Sequence, residues 1–227
     1  MFESNIEMQN IYCLPGLGAD HRLFSKLKVD TNLIPIKYIN AETTDTAETY
    51  AEKLLDQIKE DNPILMGVSL GGILAIEISK RVPVQKLILI STIKSKNELP
   101  PYFSLLDHLP FDISKTAAWF KNYGELLKPF YNKINKEEMD LFKSMLIATP
   151  DDFINWGVGA VSHWKNETIE TAHIHIHGSY DLVFPTKWVN NYTEIKSGSH
   201  FMVVDKADQI SHIINEQLKS LNEKSLS

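Results

Sequence analysis

The residues best suited to chemistry surround a serine that has a glycine two positions to either side. Ser69 lies between the short apolar run 64–68, which contains Gly67, and a helical pattern from 70 onwards, which contains Gly71. A sharp strand-to-helix turn exposes a serine hydroxyl, and the backbone passes so close at the two flanking positions that a Cβ would collide. We therefore predict Ser69 as a nucleophile at a helix N-terminus, where unpaired N–H groups favour developing negative charge.

A serine hydroxyl becomes nucleophilic only beside a base, and that base works best when a carboxylate orients it. His200 lies in a polar loop after the last predicted strand, and Asp181 lies in the turn that follows the predicted strand 174–177. Both positions reach the carboxyl edge of a parallel sheet. We predict His200 as the base and Asp181 as the orienting acid. The alternatives are an idle serine in a glycine-rich turn and an aspartate that only caps the next helix.

Acyl transfer also requires hydrogen-bond donors for an oxyanion. The backbone N–H of Leu70, directly after the nucleophile, is one candidate. Leu17 offers the second, in the loop 15–18 that follows the first predicted strand. We predict these two amides as the oxyanion hole.

The elements that must position these residues alternate between strands and helices. Strands are predicted at 11–14, 34–39, 64–68, 87–90, 174–177 and 192–196, and helices at 46–59, 70–80 and from 207 onwards. Asp45 and Glu48 resemble a capping box for the first of these helices. The succession predicts an α/β fold with a mostly parallel sheet of about six strands and helices on both faces. Strand signals disappear in 95–171, which predicts a helical lid inserted into a core formed by 1–94 and 172–227.

Three segments together resemble the α/β-hydrolase superfamily: 67–71 reads G-x-S-x-G, 177–181 reads H-G-x-x-D, and 198–201 reads G-x-H-F. The resemblance implies a serine hydrolase fold with a lid, the triad and oxyanion amides given above, and no cofactor. The expected reaction is cleavage of a carboxylic ester or thioester through an acyl-enzyme. Two other functions on this fold stay open, a triad-bearing small-molecule receptor with slow turnover and a lyase or perhydrolase.

Aromatic residues are concentrated in the segment 95–171, which holds twelve of the chain's 22. Most are expected to form the core of a helical subdomain. Trp156, His163 and Trp164 are predicted to bind substrate in an apolar pocket over Ser69, because two glycines loosen that segment. The aromatic content favours a small to medium apolar substrate.

Three histidines alternate along one predicted strand. His173, His175 and His177 therefore share a face, and two such histidines can bind zinc. No further His or Asp follows at the spacing of a hydrolytic metal cluster, so we expect no metal site. We interpret them as polar residues on an exposed face near the wet edge of the sheet.

Composition excludes several classes of protein. The chain has 227 residues, 43% of them hydrophobic, which suffices for one globular core. Its net charge of −6 disfavours a nucleic-acid partner. No apolar run approaches the ~20 residues that span a bilayer, and the first ten residues lack a signal-peptide pattern. With a lone Cys13, we expect a cytoplasmic monomer or homodimer, without membrane insertion, whose partner is a small-molecule substrate.

Overall fold

The computed structural model describes residues 10–103, 117–118, 121 and 135–225. Its strands are β1 (Ile11–Leu14), β2 (Leu33–Pro35), β3 (Ile64–Val68), β4 (Lys86–Ile90), β5 (His173–Gly178) and β6 (Thr193–Ile195). They form one sheet in the order β2-β1-β3-β4-β5-β6, and every neighbouring pair is parallel. The predicted α/β fold with a parallel sheet of about six strands is confirmed.

Helices cover both faces of this sheet. They are α1 (Ala47–Leu54), α2 (Leu70–Ser79), α3 (Lys136–Ala148), α4 (Asp151–Ser162), α5 (Met202–Asp205) and α6 (Ala207–Ser225). Along β1, Ile11 and Cys13 join the apolar cluster formed with α5 and α6, whereas Tyr12 and Leu14 join the cluster formed with α1 and α2. This division follows from the alternation of side chains along a strand. Within the described residues, no helix combines the length and apolar character that spanning a bilayer requires.

The second strand is shorter than the predicted range 34–39, since it begins at Leu33 and ends at Pro35. Proline has no N–H for a β-ladder, and β2 lies at the edge of the sheet, where that loss is tolerated. Side chains hold the backbone beyond it. Lys37 N donates to Gln57 Oε1 (2.8 Å), and Ile39 N donates to Tyr50 Oη (3.0 Å). Ile36 N still donates to Cys13 O of β1 (2.9 Å), and beyond it bonds to side chains replace the ladder that the apolar pattern predicted.

The capping box of α1 also differs from the prediction. Thr49 N donates to Thr46 Oγ1 (3.3 Å), and Thr46 N donates to Thr49 Oγ1 (2.9 Å). Asp45 instead accepts a hydrogen bond from Lys53 Nζ (2.8 Å). The predicted pairing with Glu48 was wrong by one residue, because two threonines meet the geometric requirement as well as an aspartate and a glutamate do.

The described part of 95–171 contains helices and no strand. Helices α3 and α4 pack over the loop that follows β1. A Cβ added to Gly157 of α4 would lie 2.4 Å from Leu17 Cδ1, and one added to Gly18 would lie 2.9 Å from Leu146 Cδ1. These two helices therefore cover loop 15–18, and the lid boundaries themselves stay a prediction.

Candidate active site

The three predicted triad residues each follow a strand of the parallel sheet. Ser69 follows β3, Asp181 follows β5, and His200 follows β6. The carboxyl ends of parallel strands lie at one edge of a sheet, so the topology brings residues together that are far apart in the chain.

The turn at Ser69 is strained and depends on its two glycines. Ser69 has φ 54° and ψ −121°, a conformation that L residues rarely adopt. A Cβ on Gly67 would lie 2.2 Å from the carbonyl oxygen of Gly71, and a Cβ on Gly71 would lie 2.0 Å from that of Leu14. Both contacts are with backbone atoms, so glycine is required at both positions.

Neighbouring strands hold this strained turn in place. Ser69 N donates to Ile90 O (3.0 Å), and Thr92 Oγ1 donates to Ser69 O (2.7 Å). Thr92 also packs against Gly72, where an added Cβ would lie 2.6 Å from its methyl carbon. Sequence reasoning missed Thr92, although a hydroxyl residue just after β4 is expected at the same sheet edge as Ser69.

The three side chains form a continuous hydrogen-bonded chain. Ser69 Oγ lies 2.9 Å from His200 Nε2, and His200 Nδ1 lies 2.9 Å from Asp181 Oδ2. A carboxylate only accepts, so Nδ1 carries the ring proton and Nε2 is left to accept the serine proton. In this tautomer, His200 is arranged to act as a base toward Ser69.

The carboxylate of Asp181 is buried and held by the turn that follows it. Its Oδ1 accepts hydrogen bonds from Val183 N and Phe184 N, each at 2.9 Å. Its side chain is buried, and His177 Nε2 lies 3.5 Å from Oδ2. The pKa of Tyr102 is raised to about 12, first by burial of its own hydroxyl and then by the negative charge of Asp181. The backbone thus fixes one carboxylate oxygen and leaves the other to His200.

The two predicted oxyanion amides flank the serine. Leu70 is the first residue of α2, and loop 15–18 passes beside Ser69, since a Cβ on Gly16 would lie 3.3 Å from Ser69 Cβ. Tyr38 Oη braces that loop by donating to Pro15 O (2.6 Å). Neither the Leu17 nor the Leu70 amide donates to an acceptor in the described part of the chain. Both N–H groups lack an acceptor there and are therefore available to donate to a ligand.

The three residues predicted to bind substrate form hydrogen bonds with groups outside the triad. They are Trp156, His163 and Trp164. Trp164 is buried and its Nε1 donates to Glu77 Oε1 (2.8 Å). Glu77 lies eight residues after Ser69 in α2, about 12 Å along the helix axis. Trp156 Nε1 donates to a backbone carbonyl before α1 (2.9 Å), and His163 is exposed with Nδ1 donating to the backbone of α4 (2.9 Å). None of these hydrogen bonds involves the triad.

A cavity of about 490 Å³ lies beside loop 15–18, on the side of β2. Pro15, Tyr38, Met145 and Phe153 are among its lining residues, and the three predicted substrate-binding residues are not. The triad is also absent from its lining, so this cavity is a neighbour of the site and does not include the reacting atoms.

The histidines of β5 differ from the prediction of an exposed face. His173 is exposed, but His175 and His177 are buried, and the Tyr192 ring packs against both imidazoles with centroids at 6.2 and 5.5 Å. Lys94 Nζ donates to His175 Nδ1 (2.8 Å). Burial lowers the pKa of both buried histidines. Among the described residues, no group of three or more His, Cys, Asp or Glu is arranged to hold a metal ion.

The sequence and the fold of this chain are both similar to those of known proteins. Residues 11–216 match the model of a family described as the alpha/beta hydrolase family. Among solved structures, an esterase from Exiguobacterium antarcticum superposes with TM-score 0.70 at 18% identity, covering 93% of this chain and 92% of that one. MenH from S. aureus gives 0.73 at 19%, covering 96% and 97%. The enol-lactonase from Burkholderia xenovorans LB400 gives 0.72 at 14%, covering 96% and 94%. A search of curated proteins found no match.

Proposed function

Since this chain belongs to the alpha/beta hydrolase family, we propose that it is a serine hydrolase that cleaves a carboxylic ester or thioester. The observation that carries the proposal is the 2.9 Å separation of Ser69 Oγ from His200 Nε2, at a turn held in a disfavoured conformation. Strain of this kind costs roughly 1–3 kcal/mol and persists where the surrounding structure enforces it. A serine without a catalytic role does not require a strained conformation of this kind.

In the first half of the proposed reaction, Ser69 is acylated. Its Oγ attacks the carbonyl carbon of the substrate while its proton passes to His200 Nε2. The tetrahedral intermediate then collapses, the bond from carbon to the alcohol oxygen or thiol sulfur breaks, and His200 returns the proton to that leaving group. The products are a free alcohol or thiol and an ester of Ser69.

In the second half of the reaction, water attacks the acyl-enzyme and releases Ser69. His200 Nε2 takes a proton from the water as its oxygen attacks the acyl carbon, and Ser69 Oγ leaves with that proton. Asp181 holds His200 in the required tautomer and stabilises the imidazolium that forms. The amides of Leu17 and Leu70 stabilise the oxyanion, and one such donor is worth about 2.7–4 kcal/mol of barrier.

Aromatic side chains beside the base support a small to medium apolar substrate. The ring of Phe184 lies edge-on to the His200 ring at 5.6 Å, and Phe103 stacks on Phe184 at 5.7 Å. Leu17, in the predicted oxyanion loop and against Gly157 of α4, adds an aliphatic side chain. Phe184 is buried, whereas Phe103 and Leu17 are partly exposed, and apolar groups of this kind favour an apolar acyl or alcohol group over a charged one.

The test is hydrolysis of p-nitrophenyl esters and acyl thioesters of graded acyl length by the wild type and the Ser69→Ala variant. The exposed Ser25 offers a matched control, because Ser25→Ala removes the same atom outside the site. We expect Ser69→Ala to abolish turnover and Ser25→Ala to retain it. Equal rates in Ser69→Ala and the wild type would end the proposal. Labelling of Ser69 by a fluorophosphonate without turnover of any ester would favour a receptor instead.

A further inference from the structure

A buried imidazole lies directly behind Asp181, and the proposed reaction does not use it. His177 is fully buried on β5, four residues before Asp181. Its Nε2 lies 2.7 Å from Phe184 O and 3.5 Å from Asp181 Oδ2. A carbonyl oxygen only accepts, so the ring proton is on Nε2. Its Nδ1 has no hydrogen-bond partner in the described part of the chain.

These contacts form a chain of hydrogen bonds that runs from His177 to the acid. His177 Nε2 donates to the carbonyl of Phe184, whose own N–H donates to Asp181 Oδ1. The other carboxylate oxygen, Oδ2, accepts from His200 Nδ1. Phe184 is therefore fixed through both of its backbone polar groups, one of them by His177. The hydrogen bond from His177 therefore holds the same turn, 181–184, whose N–H groups hold the carboxylate that faces His200.

The surroundings of His177 keep its ring uncharged. Burial is the largest influence lowering its pKa, and positive charge at His200 and Lys94 acts in the same direction. The Asp181 carboxylate and the Phe184 carbonyl oppose this effect, and the net direction is downward. The other groups facing the ring are His175 on the same strand and Tyr192 just before β6, with ring centroids at 5.2 and 5.5 Å.

The uncharged state of the His177 ring affects the ion pair that forms between Asp181 and His200 during the reaction. A cation at His177 would form a second ion pair with Asp181 and weaken the carboxylate's attraction for the His200 imidazolium. A neutral N–H fixes the turn without that competition. Lys94 forms an ion pair with the buried Glu98 (2.9 Å) and donates to His175, while burial lowers its own pKa.

We propose that His177 is a positioning residue for the reaction proposed above, and that its Nε2–H bond to Phe184 keeps Oδ2 of Asp181 directed at His200. The inference rests on the proposed function. It predicts an effect on the chemical step, because displacing Asp181 loosens His200 in the transition state and leaves the binding of substrate unchanged.

The test compares His177→Phe, which fills the space without a donor, with His177→Gln, whose Nε2 retains a donor near the same position. His175→Phe is the matched control, since it removes a buried imidazole from the same face of the same strand. We measure kcat per active serine, titrated by the acylation burst, together with KM and thermal unfolding. We expect kcat of His177→Phe to fall about 10- to 100-fold with KM within about twofold. His177→Gln should recover most of that loss, and His175→Phe should retain kcat.

A second readout needs no turnover. The downfield proton resonance of the His200 Nδ1–H bond to Asp181 should be lost or shifted in His177→Phe and retained in His175→Phe. An unchanged kcat and resonance in His177→Phe, or an equal loss in the control, would overturn the role of His177. Failure of the proposed hydrolase function is distinguishable, because it would appear as wild-type inactivity or full activity of Ser69→Ala while the resonance still reports on His177.

Discussion

Replacing Asp181 by asparagine exchanges one oxygen for an NH₂ group and is expected to reverse the tautomer of His200. The Oδ1 position accepts from Val183 N and Phe184 N, so the amide oxygen of asparagine must occupy it. The NH₂ group then faces His200 Nδ1, at the position where Oδ2 lies 2.9 Å away in the wild type. Two donors cannot bond each other, so the ring proton moves to Nε2.

With its proton on Nε2, His200 can donate to Ser69 Oγ but cannot accept its proton. The corresponding change in a serine protease lowers kcat about 10⁴-fold while leaving the geometry intact. That factor corresponds to about 5.4 kcal/mol of transition-state stabilisation. Stability should change little, because both backbone N–H groups keep an acceptor. The loss should therefore appear in kcat and not in the temperature of unfolding.

The assay is burst and steady-state hydrolysis of a p-nitrophenyl ester, with thermal unfolding of each variant. Asp205→Asn is the control, because Asp205 is a partly buried aspartate at the end of α5 whose pKa is raised by burial. We expect the control to retain kcat. A folded Asp181→Asn variant with more than about a tenth of the wild-type kcat would refute the assignment of the acid and the tautomer argument.

Three further predictions concern the scaffold. Gly71→Ala should cost about 3 kcal/mol or more in unfolding free energy, because its Cβ would lie 2.0 Å from a backbone oxygen of β1, whereas Gly159→Ala, with 3.9 Å of clearance, should be neutral or stabilising. Trp164→Phe should cost about 1.5–3 kcal/mol through its lost bond to buried Glu77 and leave KM unchanged. Below pH 6.5, the unfolded chain binds a proton at His175 that the folded chain excludes, so stability should fall as pH falls from 6.5 to 5, by about 1.4 kcal/mol per pH unit for one histidine.

Denaturant unfolding measures the three changes in stability, and steady-state hydrolysis measures the KM of Trp164→Phe. Equal stabilities of the two glycine variants would contradict the collision at Gly71, and a large rise in KM for Trp164→Phe would support the predicted role of that residue in substrate binding. In the pH series, His175→Phe should show a smaller slope than the wild type. An unchanged slope in that variant would contradict the exclusion of a proton from His175.

Much of the fold was predictable because local patterns and topology agree. The apolar runs gave β1 and β3 with their observed bounds, and the strand-to-helix turn placed Ser69. The predicted bounds of an element are wrong where side chains from a distant part of the chain bond to its backbone. Gln57 and Tyr50 hold the backbone after Pro35, which a window of sequence around β2 cannot reveal.

The candidate site was likewise predictable from the sequence only in part. Residues that follow parallel strands must meet at one edge, so the sequence alone located Ser69, Asp181 and His200 as neighbours. The burial of His177 depends on Phe184 and Tyr192, which follow β5 in the chain and lie against its imidazole, and alternation along β5 does not reveal which face is covered. The hydrogen bond of Trp164 to Glu77 likewise depends on how α4 packs against α2.

The central claim is that Ser69 carries the acyl group during turnover. Rapid acid quench of the enzyme with a p-nitrophenyl ester, followed by peptide mass spectrometry, tests it directly. The account predicts one acyl group on the peptide that contains Ser69 in the wild type, and none in Ser69→Ala. Continued hydrolysis with the acyl group on a different residue, or on none under burst conditions, would contradict it.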